Sequence, residues 1–229
     1  MGNLSEFLME ELNVATAFTI PIFGGIEVAE STVISWVIMA IIVFLTLVLT
    51  RNMRVEKPGK LQVGVEYAVT ALQNLVRGII GHEGERYVPY LSTLLVFLGI
   101  SNIFAIFGMK PPTKDLNVTA ALALMSIILV QVASIRQNKV GGWLKGFTKP
   151  SKVITPLNVM ELVIRPLSLC MRLFGNVMGA FVVMKLLEHL VPVILPAVFS
   201  LYFDFFDGLL QAYVFVFLTG LYIKEAVEE

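Results

Sequence analysis

The pattern of apolar and polar positions divides the chain into five long apolar stretches and one amphipathic segment. An apolar helix of about 20 residues crosses a hydrocarbon core about 30 Å thick, because each residue adds about 1.5 Å. Stretches of about this length predict three membrane spans, at residues 32–50, 87–107 and 118–135. Residues 61–81 mix apolar and polar positions at helical spacing, which predicts an amphipathic helix on the membrane surface or, alternatively, a support helix inside the protein.

The last two apolar stretches are longer and predict a helical hairpin, with arms at residues 155–190 and 197–223. Pro192 and Pro196 mark the turn between the arms. As a helix, the first arm would be on the order of 50 Å long, well beyond the thickness of a hydrocarbon core. It must therefore tilt steeply or bend, and Pro166 provides a place for a kink.

The composition agrees with a membrane environment. Hydrophobic residues make up 57% of the chain, charged residues only 15%, and the mean hydropathy is +0.82. A soluble domain cannot bury this much apolar surface, so we expect one multi-pass, all-α membrane domain over residues 1–229, with about five membrane helices plus an amphipathic helix. The formal net charge of +0 gives no electrostatic basis for binding nucleic acid.

The distribution of charged residues predicts how the chain is oriented in the bilayer. Residues 51–60 and 136–152 form two basic loops, and the positive-inside rule places both on the inner side. The acidic residues 1–30 then form a lead-in on the outer side, and they lack the basic start of a secretory signal. The loop around Asp115 lies on the outer side as well.

The first arm of the hairpin carries a polar stripe within its apolar sequence. The members of this stripe are Glu161, Arg165, Ser168, Arg172 and Asn176. Steps of four, three, four and four residues, at about 100° per residue, place all of them on one helical face. Because a charged side chain deep in a membrane is costly, Arg172 is a functional-site hypothesis.

The second arm carries a polar stripe of its own. Its members are Ser200, Asp204, Asp207 and Gln211. Folding the hairpin at its prolines places Arg172 beside residues 211–214, to within about one helical turn. The same register places Asn176 beside Asp207 or Gly208. Isolated polar residues often serve only helix association, but two facing stripes with a central arginine favour a function.

The chemistry of these side chains predicts an ion path. Arginine stays protonated in proteins, so Arg172 is a fixed positive charge and a poor proton relay. Ion transfer would fall to carboxylates, with Glu161 on the inner side and Asp204 or Asp207 on the outer side. The arrangement describes two aqueous half-paths separated by a positive plug. Ions could cross only if a carrier took them around Arg172.

The polar residues of the first arm stand in a specific sequence context. The segments Arg165-Pro166-Leu167-Ser168-Leu169 and Arg172-Leu173-Phe174-Gly175-Asn176 carry it. Supporting segments are Lys57–Gln62 with Glu66, Pro112–Thr119 and Gln211–Phe215. In these motifs, over about residues 30–225, the chain closely resembles the a subunit of F-type ATP synthases.

The resemblance implies partner subunits for the chain and roles for five of its residues. The hairpin is expected to face a ring of c subunits, each carrying a carboxylate through the membrane plane, and the b subunit and other ATP synthase subunits are further expected partners. Arg172 matches the essential arginine of the family, and Asn176 and Gln211 match its polar partners. Glu161 matches the acidic residue on the inner side. Asp115 matches the polar loop at the outer entrance.

One position departs from the family pattern. Five residues after Asn176, where many members have an acidic or polar residue, this chain has Phe181. Seven residues before Gln211, where many of those members have histidine or another polar residue, it has Asp204. We therefore expect the second arm to supply the ionisable group at this contact.

Three more polar residues lie near the outer end of the first arm. They could line the outer entrance or, alternatively, extend to the membrane interface. They are Lys185, Glu188 and His189.

The resemblance implies an ion-translocating subunit without a catalytic site or cofactor of its own, in the plasma membrane of a bacterium, passing H⁺ or Na⁺. The alternative is a secondary transporter that carries a small anion past the intramembrane arginine. Such transporters tend to have two related halves, and the chain shows no internal repeat. An intramembrane enzyme is disfavoured because no metalloprotease, serine-hydrolase or phosphate-loop motif is present in the sequence.

Overall fold

The computed structural model describes most of the chain. The described residues are 16–20, 26–55, 58–82, 84–104, 111–146, 155–190 and 199–228. Among them, the α-helices are α1 (Glu30–Thr50), α2 (Lys60–Ile80), α3 (Val88–Ile103), α4 (Leu116–Gly146), α5 (Thr155–Leu190) and α6 (Gly208–Glu228). Shorter helical pieces are the 3₁₀ turns Glu85–Tyr87 and Pro112–Lys114 and the π-helical segment Leu201–Asp207.

Four helical stretches of the described chain are long and apolar enough to cross a membrane. They are Glu30–Thr50, Leu116–Trp143, Thr155–Leu187 and Leu201–Val227. The prediction of an all-α membrane protein is confirmed. Helix α3 has 16 residues and lies within the predicted span 87–107, whose last residues fall outside the described part of the chain.

Part of the acidic lead-in forms a small β-hairpin, which the sequence interpretation missed. Strand β1 (Thr16–Ile20) pairs in antiparallel fashion with β2 (Ile26–Ala29), which leads directly into α1. Both strands are rich in the β-branched and aromatic residues that favour extended chains. Residues 1–15 lie outside the described part of the chain.

The buried core lies around α6, which packs against α2, α3 and α4. Phe215 and Val216 are fully buried at its centre. Helix α5 joins this core through Leu169 and Leu173. Most side chains of α1 beyond Ile38 are exposed, as expected for a helix whose outer face needs only lipid around it.

Helix α2 combines the two alternatives that its amphipathic sequence left open. Its last turns are buried against α3 and α6 through Val76, Ile79 and Ile80, as in a support helix. Its first half is exposed, including Leu61 and Tyr67.

Gln62, at the start of α2, holds the preceding basic loop. Its Oε1 accepts a hydrogen bond from the backbone N–H of Arg54 at 2.9 Å, and its Nε2 donates to the carbonyl of Arg54 at 3.0 Å. The same Nε2 also donates to Glu66 Oε1 at 2.7 Å. A single amide thus satisfies both backbone groups of Arg54, which gives Gln62 a structural role.

Helix α4 turns back on itself at Lys139, whose φ of 57° and ψ of 164° lie outside the helical region. As a result, Trp143 Nε1 donates to Gln131 Oε1 at 2.9 Å. These residues are 12 positions apart, or about 18 Å along a straight helix. Part of the predicted basic loop 136–152 is therefore a short helical return.

A buried polar crossing fixes the start of α6. Asn102 of α3 donates from Nδ2 to the carbonyl of Gly208 at 2.7 Å, and its Oδ1 accepts from Thr113 Oγ1 at 2.9 Å. A Cβ at Gly208 would meet Asn102 Cβ at 2.9 Å. Only glycine allows α3 and α6 to approach so closely at this point.

We predict that Gly208→Ala destabilises the protein by about 1–3 kcal/mol, because the added methyl group overpacks this crossing and displaces Asn102. The measurement is the thermal unfolding midpoint in detergent, which should fall. Gly64→Ala is the matched control, since a Cβ at this exposed helical glycine meets nothing within 4 Å. An equal midpoint for the two variants would contradict the prediction.

Candidate functional site

Helix α5 holds the predicted polar stripe beside the face that packs on the core. The helix has 36 residues, with Pro166 inside it, and is on the order of 50 Å long. Leu169, Cys170 and Leu173 are buried on its inner face. Cys170 Sγ lies 3.6 Å from Thr119 Oγ1 of α4, which ties this face to the core.

Arg172 lies on the exposed face of α5. No hydrogen bond or ion pair joins it to any residue that the structure describes. Its exposed neighbours on the same helix include the apolar Leu167 and Met171 and the polar Asn176. Ser168, one turn before it, is half-buried. The guanidinium is thus a cation on an apolar surface that the chain leaves open to an outside group.

Asn176 and Gln211 join the two arms of the hairpin. Asn176 Nδ2 donates to Gln211 Oε1 at 2.6 Å. Gln211 is only 4% exposed, and its Nε2 has no hydrogen-bond partner among the described residues. The polar stripes therefore meet as predicted, but Asn176 lies opposite Gln211, one helical turn from the expected Asp207 or Gly208.

The π-helical segment explains part of this offset and changes the second stripe. Its hydrogen bonds close at i→i+5, so each turn holds more residues than an α-helical turn. Each residue of this segment therefore adds less length along the helix axis than an α-helical residue does. A residue later in the sequence than expected then lies opposite Asn176, as observed for Gln211. Asp204 and Asp207 both lie on this segment. Asp207 is half-buried, and the side chain of Asp204 lies outside what the structure describes.

Glu161 lies at the inner end of the stripe, in an ion-pair cluster. Arg165 Nη2 donates to Glu161 Oε2 at 2.7 Å and to Glu225 Oε1 at 2.9 Å. The Arg165 guanidinium carbon also lies 4.9 Å from the centroid of the Tyr222 ring. Glu225 was missed by the sequence interpretation, since it stands in the charged C-terminal segment beyond the second stripe. The hairpin register was the available signal, because it brings the end of the second arm beside the start of the first.

The carboxylate of Asp115 is buried and accepts hydrogen bonds from two neighbouring residues. The residue is 4% exposed and accepts hydrogen bonds from Ser31 Oγ of α1 and from the backbone N–H of Asn117 at 2.9 Å. A carboxylate that accepts a backbone N–H in the first turn of a helix caps it, here the start of α4. Asp115 is therefore placed as a cap and a tie to α1.

Phe181, at the position that departs from the family pattern, lies between two lysines. Lys114 Nζ is 3.4 Å from the ring centroid, and Lys185 Nζ is 5.8 Å from it. An aromatic face attracts an ammonium at such distances. The contact of Lys114 joins the 3₁₀ turn Pro112–Lys114 to α5. The ammonium of Lys185 lies near the same ring, one turn along its own helix. The side chains of Glu188 and His189 lie outside the described part of the chain.

Comparison with known proteins identifies the family. The model of the family "ATP synthase A chain" matches residues 32–224. The chain is 38% identical over 205 residues to ATP synthase subunit a of Moorella thermoacetica, covering 89% of this chain and 93% of that protein. It is 32% identical to ATP synthase subunit a 1 of Crocosphaera subtropica, covering 88% of each.

A further relative is named for its ion. The chain is 31% identical to the sodium-ion-specific ATP synthase subunit a of Propionigenium modestum, covering 89% of this chain and 75% of that protein. The family match extends from α1 to the last turn of α6 and includes the polar residues of both arms. The chain therefore belongs to the ATP synthase A chain family, the a subunits of F-type ATP synthases.

Proposed function

We propose that the chain forms the ion path of the membrane sector, with Arg172 separating two offset aqueous half-channels that pass H⁺ or Na⁺ to and from carboxylates of a c-subunit ring. The observation that carries the proposal is the position of Arg172, exposed on the apolar face of α5 and without a partner among the described residues. A permanent cation placed there is available to an acidic group from outside the chain.

The charge of Arg172 explains how it would work. A guanidinium does not release its proton, so it cannot pass a proton onward. It attracts a c-subunit carboxylate that arrives without its ion, and it repels a cation that tries to pass directly. Ions would then travel from one half-channel to the other only on the moving ring, which couples ion flow to rotation and ATP synthesis.

The exposed apolar side chains in the turns of α5 before Arg172 fit a ring of apolar helices as partner. They are Val163, Ile164, Leu167 and Met171. Gly175 and Gly179 lie further along α5, and a Cβ at either would meet nothing within 4 Å. Small residues let another helix approach closely in a membrane, so this face suits contact with the c ring.

The Asn176–Gln211 hydrogen bond supports the division into two half-channels. It lies one turn from Arg172 toward the outer end of α5 and joins the arms with neutral groups. The amide pair neutralises none of the charge of Arg172. It fixes the distance between α5 and α6 beside the arginine, so that the cation keeps its position when the ring moves.

Carboxylates provide the ends of the proposed path. On the inner side, Glu161 lies eleven residues, or about 16 Å, from Arg172 along α5. On the outer side, the π-helical segment carries Asp204 and Asp207, and π-helical turns are frequent at functional sites. Asp115 is assigned a positioning role, because its carboxylate is engaged with Ser31 and Asn117.

The proposed setting is the plasma membrane of a bacterium, with the b subunit as another neighbour. The chain is proposed to be non-catalytic, with nucleotide chemistry carried out by other subunits. The anion-transporter alternative has lost its support, because the chain belongs to the ATP synthase A chain family over residues 32–224.

We predict that Arg172→Ala abolishes ATP synthesis driven by an ion gradient, because a carboxylate is no longer attracted and ions can leak past the ring. The measurement is ATP synthesis by the whole complex in membrane vesicles. Arg77→Ala is the matched control, since Arg77 is exposed on α2, pairs with Glu85 at 3.2 Å and belongs to neither polar stripe, and it should keep wild-type coupling. Retained coupling in Arg172→Ala would refute the proposed function.

We predict that Asp204→Asn strongly lowers ion-driven ATP synthesis, because Phe181 leaves the second arm to supply the ionisable group on the outer side. Asp207→Asn, measured in parallel, assigns the role between the two carboxylates of the π-helical segment. A normal rate in Asp204→Asn would overturn the assignment to Asp204. A loss confined to Asp207→Asn would move it to Asp207.

A further inference from the structure

The ion-pair cluster at the inner end of the hairpin contains one more carboxylate than its arginine can neutralise. Arg165 Nη2 lies 2.7 Å from Glu161 Oε2 and 2.9 Å from Glu225 Oε1. The two glutamates come from different arms, 64 positions apart in sequence. With one guanidinium between two carboxylates, the cluster carries one net negative charge.

This excess charge gives the cluster a capacity for one cation. Arg165 cannot release a proton, so any exchange takes place at a carboxylate. When one glutamate binds a proton or Na⁺, the other can keep its bond to Arg165. The two carboxylates are therefore equivalent in kind, and nothing in the geometry reserves the ion for Glu161.

The arginine of the cluster is more buried than its two carboxylates. The side chain of Arg165 is 23% exposed, while those of Glu161 and Glu225 are 46% and 47% exposed. Tyr222 covers one face of the guanidinium. The arginine is held between the arms while both carboxylates are open. Because half-exposed ion pairs contribute little to stability, a purely structural role explains the cluster poorly.

We propose that Glu225 is a second ion-accepting residue of the inner half-channel, sharing Arg165 with Glu161. This inference rests on the proposed function and extends its inner half-path from one carboxylate to two. An ion that leaves the ring on the inner side binds to whichever glutamate is free and departs to water from there. Arg165 is a positioning residue that keeps the two acceptors within reach of each other.

The key variant is Glu225→Gln in the complete ATP synthase, with ATP synthesis measured in vesicles. Glutamine has the same shape and its carbonyl oxygen can still accept the hydrogen bond from Arg165, but it cannot take up a proton and binds a cation weakly. Glu225→Gln should lower the synthesis rate by about twofold, and Glu161→Gln with Glu225→Gln by more than about tenfold, because residues that share a function are non-additive. Glu225→Asp, which restores a carboxylate, should recover most of the rate.

The control variant is Glu85→Gln, which removes one carboxylate from the Arg77 pair on α2 and should leave the rate unchanged. The amount of assembled complex and its ATP hydrolysis are measured in every variant and should stay at wild-type levels. A wild-type rate for Glu225→Gln, both alone and combined with Glu161→Gln, would overturn the inference. That result leaves the proposed function intact, which fails instead if Arg172→Ala retains coupling.

Discussion

A guanidinium that cannot lose its charge is the constraint on which the rest of this hairpin depends. At the centre of a membrane such a group costs about 3 kcal/mol or more unless an anion or water accompanies it. Among the described residues, no carboxylate pairs with Arg172, and those of Glu161 and Glu225 are engaged with Arg165. The packing of α5, through Leu169 and Leu173 on the adjacent side of the helix, only holds the cation in place. In the proposed assembly, the carboxylates of the ring supply the compensating charge, which is the physical reason for placing an acidic ring against this face.

Two polar contacts at different depths hold the arms of the hairpin in one register. Asn176–Gln211 joins them near the arginine, and Arg165–Glu225 joins them near the inner end. These contacts differ in kind. The neutral amide pair holds the arms without adding charge beside Arg172, and the charged pair lies where water can reach it. The register is thus set in a way that leaves the charge of Arg172 unpaired among the residues that the structure describes.

The helices and the first polar stripe could be predicted from the sequence, because apolar length and a 3.6-residue period are local properties. Features that depend on distant residues could not. The bond that ties Asp115 to α1 needs Ser31, which is 84 positions away, and the role of Glu225 needs the register of the hairpin to within one turn. The π-helical segment could not be predicted either, since Leu-Tyr-Phe-Asp-Phe-Phe-Asp is equally compatible with an α-helix and its hydrogen-bond shift leaves no mark in the apolar pattern.

The polar contacts on the outer side of the hairpin are of a different type from those on the inner side, and this difference constrains the outer half-path. Asn102 and Thr113 form buried hydrogen bonds that end on the backbone of Gly208. Asp115 is buried as the cap of α4. The bonds of Asn102 and Thr113 fix α6 against α3, and the buried Asp115 carboxylate ties α4 to α1. The carboxylates that we propose for ion transfer on this side lie on the π-helical segment, which ends directly before the fixed residue Gly208. An outer half-path along this segment would therefore have one rigid wall, so that the ring carboxylate meets the path at a constant position relative to Arg172.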